Sequence, residues 1–238
     1  MNTDKELTSR TLTQILSLIE KRNYDPGERL PSERELSERF GVGRGVVREA
    51  LSILENLRYL KRKRNSGVYL SSTPERISLE TLSLFSELGI NLTKDKVTQA
   101  LEVKAIIEVQ AIVLACERRT KEQITTVEDI VRRFDDAIAG SGESIADLDY
   151  EFHMALFKAT QNTVLIQMVN PFYLMSARRR EIFFSDMARC KVSNQQHQQL
   201  LACLRKQDAA VAQKIMLDHI SRGESGLLGD ENVIDTPT

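Results

Sequence analysis

A chain of 238 residues with 41% hydrophobic content holds enough material for two domains of ordinary size, each with its own core. Its cysteines, Cys116, Cys190 and Cys203, are odd in number and lack the close spacing of a zinc ribbon or redox motif, which speaks against a disulfide framework and fits a reducing cytoplasm. No apolar run approaches the roughly 20 residues that cross a bilayer, so no membrane partner is expected. The formal net charge of -1 conceals a split: residues 1–72 carry 14 Lys plus Arg against 10 Asp plus Glu, and the remainder 19 against 24. Such a division suggests a module that meets a polyanion joined to an acidic one that does not.

Along the chain, Leu12, Ile15, Leu16 and Ile19 fall at i, i+3, i+4, i+7 and make one apolar stripe of a helix. Pro26-Gly27 follows as a turn. Ser32 with Glu35 three residues later forms a capping box, which predicts a short helix at about 33–40 closed by Gly41. Val47, Ala50, Leu51 and Leu54 repeat the helical stripe and predict a third helix over 44–57. Tyr59-Leu60 and Val68-Tyr69-Leu70 then flank the basic stretch from Lys61 to Gly67, which reads as a two-stranded hairpin.

Three short helices followed by a hairpin is the winged helix-turn-helix layout, here spanning residues 1–72, whose third helix enters the major groove of DNA. Arg44 and Arg48 lie one turn apart opposite the apolar stripe, suited to guanine edges or phosphates. Arg34 at the start of the second helix suits a backbone phosphate, and the cationic hairpin loop a minor groove. For any single arginine a solvated helix face is the alternative; the order of elements favours DNA.

A linker containing Pro74 is expected at 73–76. Beyond it the apolar pattern predicts helices at about 77–88, 95–118, 121–139, 144–160, 163–184, 194–206 and 208–223, an all-α effector-binding and dimerisation domain over 77–223. The polar tail 224–238 is expected to be disordered. The fold class is therefore mainly α, a winged helix-turn-helix followed by a helical bundle.

All the histidines, His153, His197 and His219, lie in the bundle. Asp149 and His153 share a helical face with Leu148, Phe152 and Leu156. His197 heads a stripe with Leu200, Leu201 and Leu204, and His219 closes one with Ala212, Ile215 and Met216. Each histidine alone reads as a hydrogen-bonded core residue. Several buried imidazoles without partners are costly, and a shared divalent metal on Asp149, His153, His197 and His219 relieves that cost.

The stretch from Gly27 to Glu55, GERLPSERELSERFGVGRGVVREALSILE, resembles the GntR family of bacterial regulators, with its G-x-x-L-P-S-E-R-x-L and V-R-E-A-L segments. The resemblance covers residues 10–72 and implies operator contacts from Ser32, Glu33, Arg34, Arg44 and Arg48, with Gly67 at the wing tip. Gly43 and Gly45 stand where that family usually has a hydroxyl residue, which weakens the start of the recognition helix by about 1 kcal/mol each relative to Ala.

Asp149-x3-His153, then Asn162, His197, Asp208, Ala212 and His219, is similar to the FCD ligand-binding domain of the FadR subfamily. That resemblance implies a divalent metal on the four ligands, zinc first and nickel, iron or manganese as alternatives, with open positions for the carboxylate of a small organic acid. Lys104, four residues before Glu108, replaces a common arginine; Lys104, Glu108 and Arg178 are the candidate effector contacts, Arg178 heading a run with Arg179 and Arg180. The function so implied is a ligand-responsive regulator, expected to be a repressor and a homodimer because two-fold operators need two reading heads. Not an enzyme is the reading preferred. A metal-dependent enzyme with Glu108 or Glu151 as base, or a metal sensor, would use the same site.

Overall fold

The protein is described by a computed structural model that covers residues 2–90 and 93–229. The chain divides into two compact units, with the boundary at residues 91 and 92. In the first, α1 (Asn2–Lys21) buries Leu12, Ile15, Leu16 and Ile19 against α3 (Arg44–Asn56), which contributes Val47, Ala50, Leu51 and Leu54. Between them α2 (Glu33–Phe40) starts on the expected capping box: the Ser32 amide donates to Glu35 Oε2 at 2.7 Å and the Glu35 amide to Ser32 Oγ at 3.3 Å. Gly41 ends α2 in the left-handed region at φ 67, which costs glycine nothing.

The wing is β1 (Leu60–Lys63) paired antiparallel with β2 (Gly67–Leu70), Leu60 opposite Leu70 and Lys63 opposite Gly67. Leu60 and Val68 fasten it to the core. At Gly67, φ is +127, a backbone conformation that side-chain-bearing residues rarely adopt and glycine adopts freely.

The expected linker contains a 3-10 turn at Pro74–Arg76, and α4 (Glu80–Glu87) follows. This helix, anticipated at 77–88 as the opening of the bundle, packs instead on the first unit: Leu84, Phe85 and Leu88 lie on its core, and Phe85 meets Tyr59 edge to face at 5.3 Å. Apolar periodicity announces a buried face but not which core buries it.

The second unit comprises α5 (Lys94–Arg118), α6 (Lys121–Ile138), α7 (Ile145–Ala159), α8 (Thr163–Met175), α9 (Ala177–Phe183), α10 (Met187–Lys206) and α11 (Ala209–Gly229). Helix α5 packs on α7 and α11, and α10 on α6 and α11, around Ile112, Phe134, Phe152, Leu200 and Met216. The single helix expected at 163–184 is two, because the chain breaks at Ser176, whose hydroxyl donates to the Phe172 and Tyr173 carbonyls at 3.0 and 3.2 Å. The helix expected to begin at 194 begins at Met187, capped by the Asp186 carboxylate accepting from the Ala188 amide at 2.8 Å. Helix α11 continues to Gly229, past the expected start of the tail; residues 230–238 of that tail lie outside the described residues. Among the described residues no helix is long and apolar enough to cross a membrane.

Candidate functional site

The reading head is assembled around one carboxylate. Glu33 Oε2 accepts from Arg48 Nε and Nη2 at 3.1 and 3.0 Å, while Glu33 Oε1 accepts from Arg62 Nη1 at 3.0 Å. Arg62 also reaches Glu55 Oε2 at 3.3 Å. Glu33 thus ties the recognition helix α3 to wing strand β1, and its bond to Arg48, helped by Arg62, holds its carboxyl below the usual range. Such exposed pairs add little stability. They do restrict where two guanidinium groups point, and Arg48 remains 64% exposed.

Arg44 is exposed on the same helix, and Arg34 is exposed at the start of α2 beside Glu38 at 3.7 Å. Ser32 caps α2 next to them. Nothing lies within 4 Å of a Cβ placed at Gly43 or Gly45, and Gly43 sits at an ordinary φ of -63, so neither space nor backbone demands glycine there. The consequence is an uncapped α3, with no side-chain hydrogen bond at its N-cap. Sequence reasoning treated Arg62 as one cation of a loop. Strand alternation was the available signal: Arg62 shares the face of buried Leu60, the face turned to α3.

In the bundle, Asp149 and His153 of α7, His197 of α10 and His219 of α11 are all buried, and one ligand atom from each lies within 4.8 Å of all the others. His153 Nε2 stands 3.2 Å from His219 Nε2. Asp149 Oδ1 is 3.7 Å from His153 Nε2 and 3.5 Å from His197 Nε2.

The outer nitrogens decide the tautomers. His153 Nδ1 is 2.9 Å from Glu108 Oε2, and His219 Nδ1 is 2.9 Å from Gln196 Oε1, itself an acceptor from Arg222 Nη2 at 2.9 Å. A proton on His219 Nδ1, given to Gln196, leaves its Nε2 lone pair turned toward His153 Nε2. Burial, then the neighbouring imidazoles and Arg222, pushes the His197 and His219 pKa values well down and favours their neutral forms. His197 stacks on Phe152 at 3.8 Å between centroids, and neither of its ring nitrogens has a hydrogen-bond partner. Three imidazoles and one carboxylate converge on one point, and the unpartnered nitrogens of buried His197 go uncompensated there unless a cation is bound. This donor set fits a divalent ion.

Glu108 supports that site rather than lining the cavity beside it. Burial would raise its pKa, but Lys104 and His153 hold it well below the usual carboxylate range. It accepts from the Tyr173 hydroxyl at 2.7 Å and pairs with Lys104 Nζ. An ionised Glu108 on His153 Nδ1 fixes the ring and raises the basicity of Nε2.

A cavity of about 70 Å³ opens over the site, bounded by Lys104, Asp149, His153, Tyr173, Arg180 and Arg222 among others. At ~10–15 Å³ per water, it takes about five waters or an acid of a few carbons. Arg178, the expected anion clamp, is exposed and absent from the lining; Arg180, two residues on, occupies the wall, its Nε and Nη1 bonded to the Ala146 and Tyr173 carbonyls at 2.9 and 3.2 Å. Arg222 was missed, although it lies three residues after His219 and so on the same face of α11.

Comparison with known proteins matches residues 7–70 to bacterial regulatory proteins of the gntR family and residues 99–222 to the FCD domain. The HTH-type transcriptional regulator LutR of Bacillus subtilis is 29% identical over 223 residues, spanning 91% of this chain and all of that one. The galactonate operon transcriptional repressor of Escherichia coli is 26% identical over 220 residues, 90% of this chain and 93% of its own length. A solved structure of Lar, described as controlling the Listeria monocytogenes agr system, covers 94% of this chain at 16% identity with a TM-score of 0.66, a likeness of fold.

Proposed function

Because this chain belongs to the gntR family of bacterial transcriptional regulators and carries an FCD domain, we propose that it is a dimeric, metal-loaded repressor whose operator affinity is set by a small carboxylate. A regulator of this family binds operator DNA through the first unit and a small effector through the second; the relatives are regulators, not enzymes. The observation that carries the finer reading is the convergence of Asp149, His153, His197 and His219, one ligand atom of each within 4.8 Å of the others, at the floor of a cavity lined by Lys104, Arg180 and Arg222. Three nitrogens and one oxygen suit zinc, with nickel, iron and manganese as alternatives. The bound ion would supply a Lewis-acidic position for a carboxylate. Lys104 and the arginines would orient it, while Glu108 and Gln196 would hold His153 and His219 as neutral ligands.

The repressor reading and the acid class draw on the name of the galactonate operon repressor. DNA contacts are assigned to Ser32, Glu33, Arg34, Arg44, Arg48 and Gly67, and the effector contacts to Lys104 and Arg180, with Glu108 behind His153. The test is operator affinity, on a duplex selected from random sequence, with and without chelator and small carboxylates. A metal-dependent shift of about fivefold or more on adding an acid is expected. A response to metal alone would favour a metal sensor, and a change in melting temperature without a change in affinity a structural ion.

Dimerisation is supported by an uncovered apolar face. Val103 and Ile106 on α5 are 43% and 62% exposed, and Val164 and Met168 on the adjoining α8 are 58% and 44% exposed. A charge there would be buried unpaired in a dimer. Ile106→Glu is accordingly expected to convert the dimer to a monomer in light scattering, with helical content unchanged. An unaltered mass would remove α5 from the interface.

A further inference from the structure

Resting on the reading of the cavity as a metal-plus-acid site, we infer that Arg222, assisted by Arg180, makes this cavity selective for an acid bearing a second anionic group over the matching mono-acid. The argument is a balance of charge around the wall. Lys104 is already neutralised by Glu108. Arg180 and Arg222 form no ion pair: Arg180 hydrogen-bonds the Ala146 and Tyr173 carbonyls, Arg222 Nη2 hydrogen-bonds Ser193 Oγ and Gln196 Oε1, each at 2.9 Å, and Asp149, which a metal would claim, is the carboxylate that acts on both. Among the described residues no carboxylate pairs with either guanidinium.

Two further features single out Arg222. Its Nε is buried with no hydrogen-bond partner, an orphan donor in the cavity wall. Burial also lowers the Arg222 pKa, the mark of a cation removed from water without full compensation. Both guanidinium groups lie over aromatic rings, Arg180 Cζ 5.5 and 5.9 Å from Tyr150 and Tyr173 and Arg222 Cζ 5.7 Å from Phe183, so ring contacts do not distinguish them.

Asp149 is the one carboxylate in the lining, and it belongs to the metal ligands. An acid seated through one carboxylate on the ion would leave both guanidinium groups facing the methyl end of a mono-acid. A second carboxylate would meet them, and Arg222 stands three residues, ~4.5 Å along α11, from His219. That spacing and the 70 Å³ volume suit a four- or five-carbon di-acid.

The test titrates zinc-loaded, full-length protein calorimetrically with matched pairs: malate against 2-hydroxybutyrate, and 2-hydroxyglutarate against 2-hydroxyvalerate. In at least one pair the di-acid is expected to bind tenfold or more tightly. In Arg222→Gln, compared per equivalent of bound zinc, that ratio should fall below about threefold, and Arg222→Lys should keep part of it. Equal binding of both members in the wild type overturns the inference and leaves the metal-plus-acid reading standing. A di-acid preference that survives in Arg222→Gln overturns the role given to Arg222. Binding of neither class overturns both readings.

Discussion

His219→Ala protein is expected to leave purification with little or no bound metal, and the wild type with about one equivalent, as read by elemental analysis. The reason is geometric: His219 Nε2 stands 3.2 Å from His153 Nε2, and its loss leaves Asp149, His153 and His197 to close the site alone. Metal held by the folded chain at 100 times its Kd stabilises by about 2.7 kcal/mol, which for a domain of this size is a melting temperature about 5–10 °C higher. Chelation should therefore lower the wild-type melting temperature by that much and leave His219→Ala almost unmoved. The metal-free wild type carries a pH signature too. His197 and His219 have pKa values below the ordinary 6.5 when folded, so the unfolded chain binds more protons, and stability is full above about pH 6.5 and lost as the pH falls below it. Asp149, its pKa raised by burial, acts in the opposite sense at lower pH. Melting temperatures of chelated protein between about pH 5.5 and 8 should fall with acid, and less steeply in His219→Ala. A wild type that purifies without metal and melts unchanged with added zinc would end the metal reading.

How far the sequence reached depended on whether a feature was local. The capping box at Ser32 and Glu35, the stop at Gly41 and the helical stripes that turned four ligands inward are decided within a turn or two of chain, and the structure has each of them. Features that depend on which surfaces meet were beyond reach. Helix α4 was visible as a helix, but its burial against Tyr59 was not. The break at Ser176 and the early start of α10 at Met187 interrupt segments whose periodicity is weak, because Cys190, Ser193 and Asn194 are buried there without being strongly apolar. The Glu33 bridge to Arg48 and Arg62 joins residues far apart in the chain, as does Glu108 behind His153. Charge pattern alone assigns such carboxylates to solvent or to ligand.

The reading head offers the second large effect. Arg44→Ala combined with Arg48→Ala is expected to weaken binding to a selected operator by on the order of 10²–10⁴-fold, since each arginine contact to base or phosphate is worth about 1–3 kcal/mol. The salt dependence then assigns the contacts. A phosphate partner lost from either side chain lowers the slope of log K against log salt by about 1, whereas a lost guanine contact leaves the slope and relaxes sequence preference. Glu33→Gln separates positioning from charge in the same assay. Removing the carboxylate adds one unit of positive charge and frees Arg48 and Arg62 from the bridge that orients them. Binding to random duplex should rise and the ratio of specific to non-specific affinity should fall. The pairs are partly exposed, Glu33 at 21% and Arg48 at 64%, so folding stability should change by about 1 kcal/mol, and an unchanged melting temperature would separate a lost preference from a damaged fold. A Glu33→Gln protein that keeps its full specificity ratio would reduce the bridge to a surface contact, and an Arg44→Ala/Arg48→Ala protein that still binds its operator would move the reading surface away from α3.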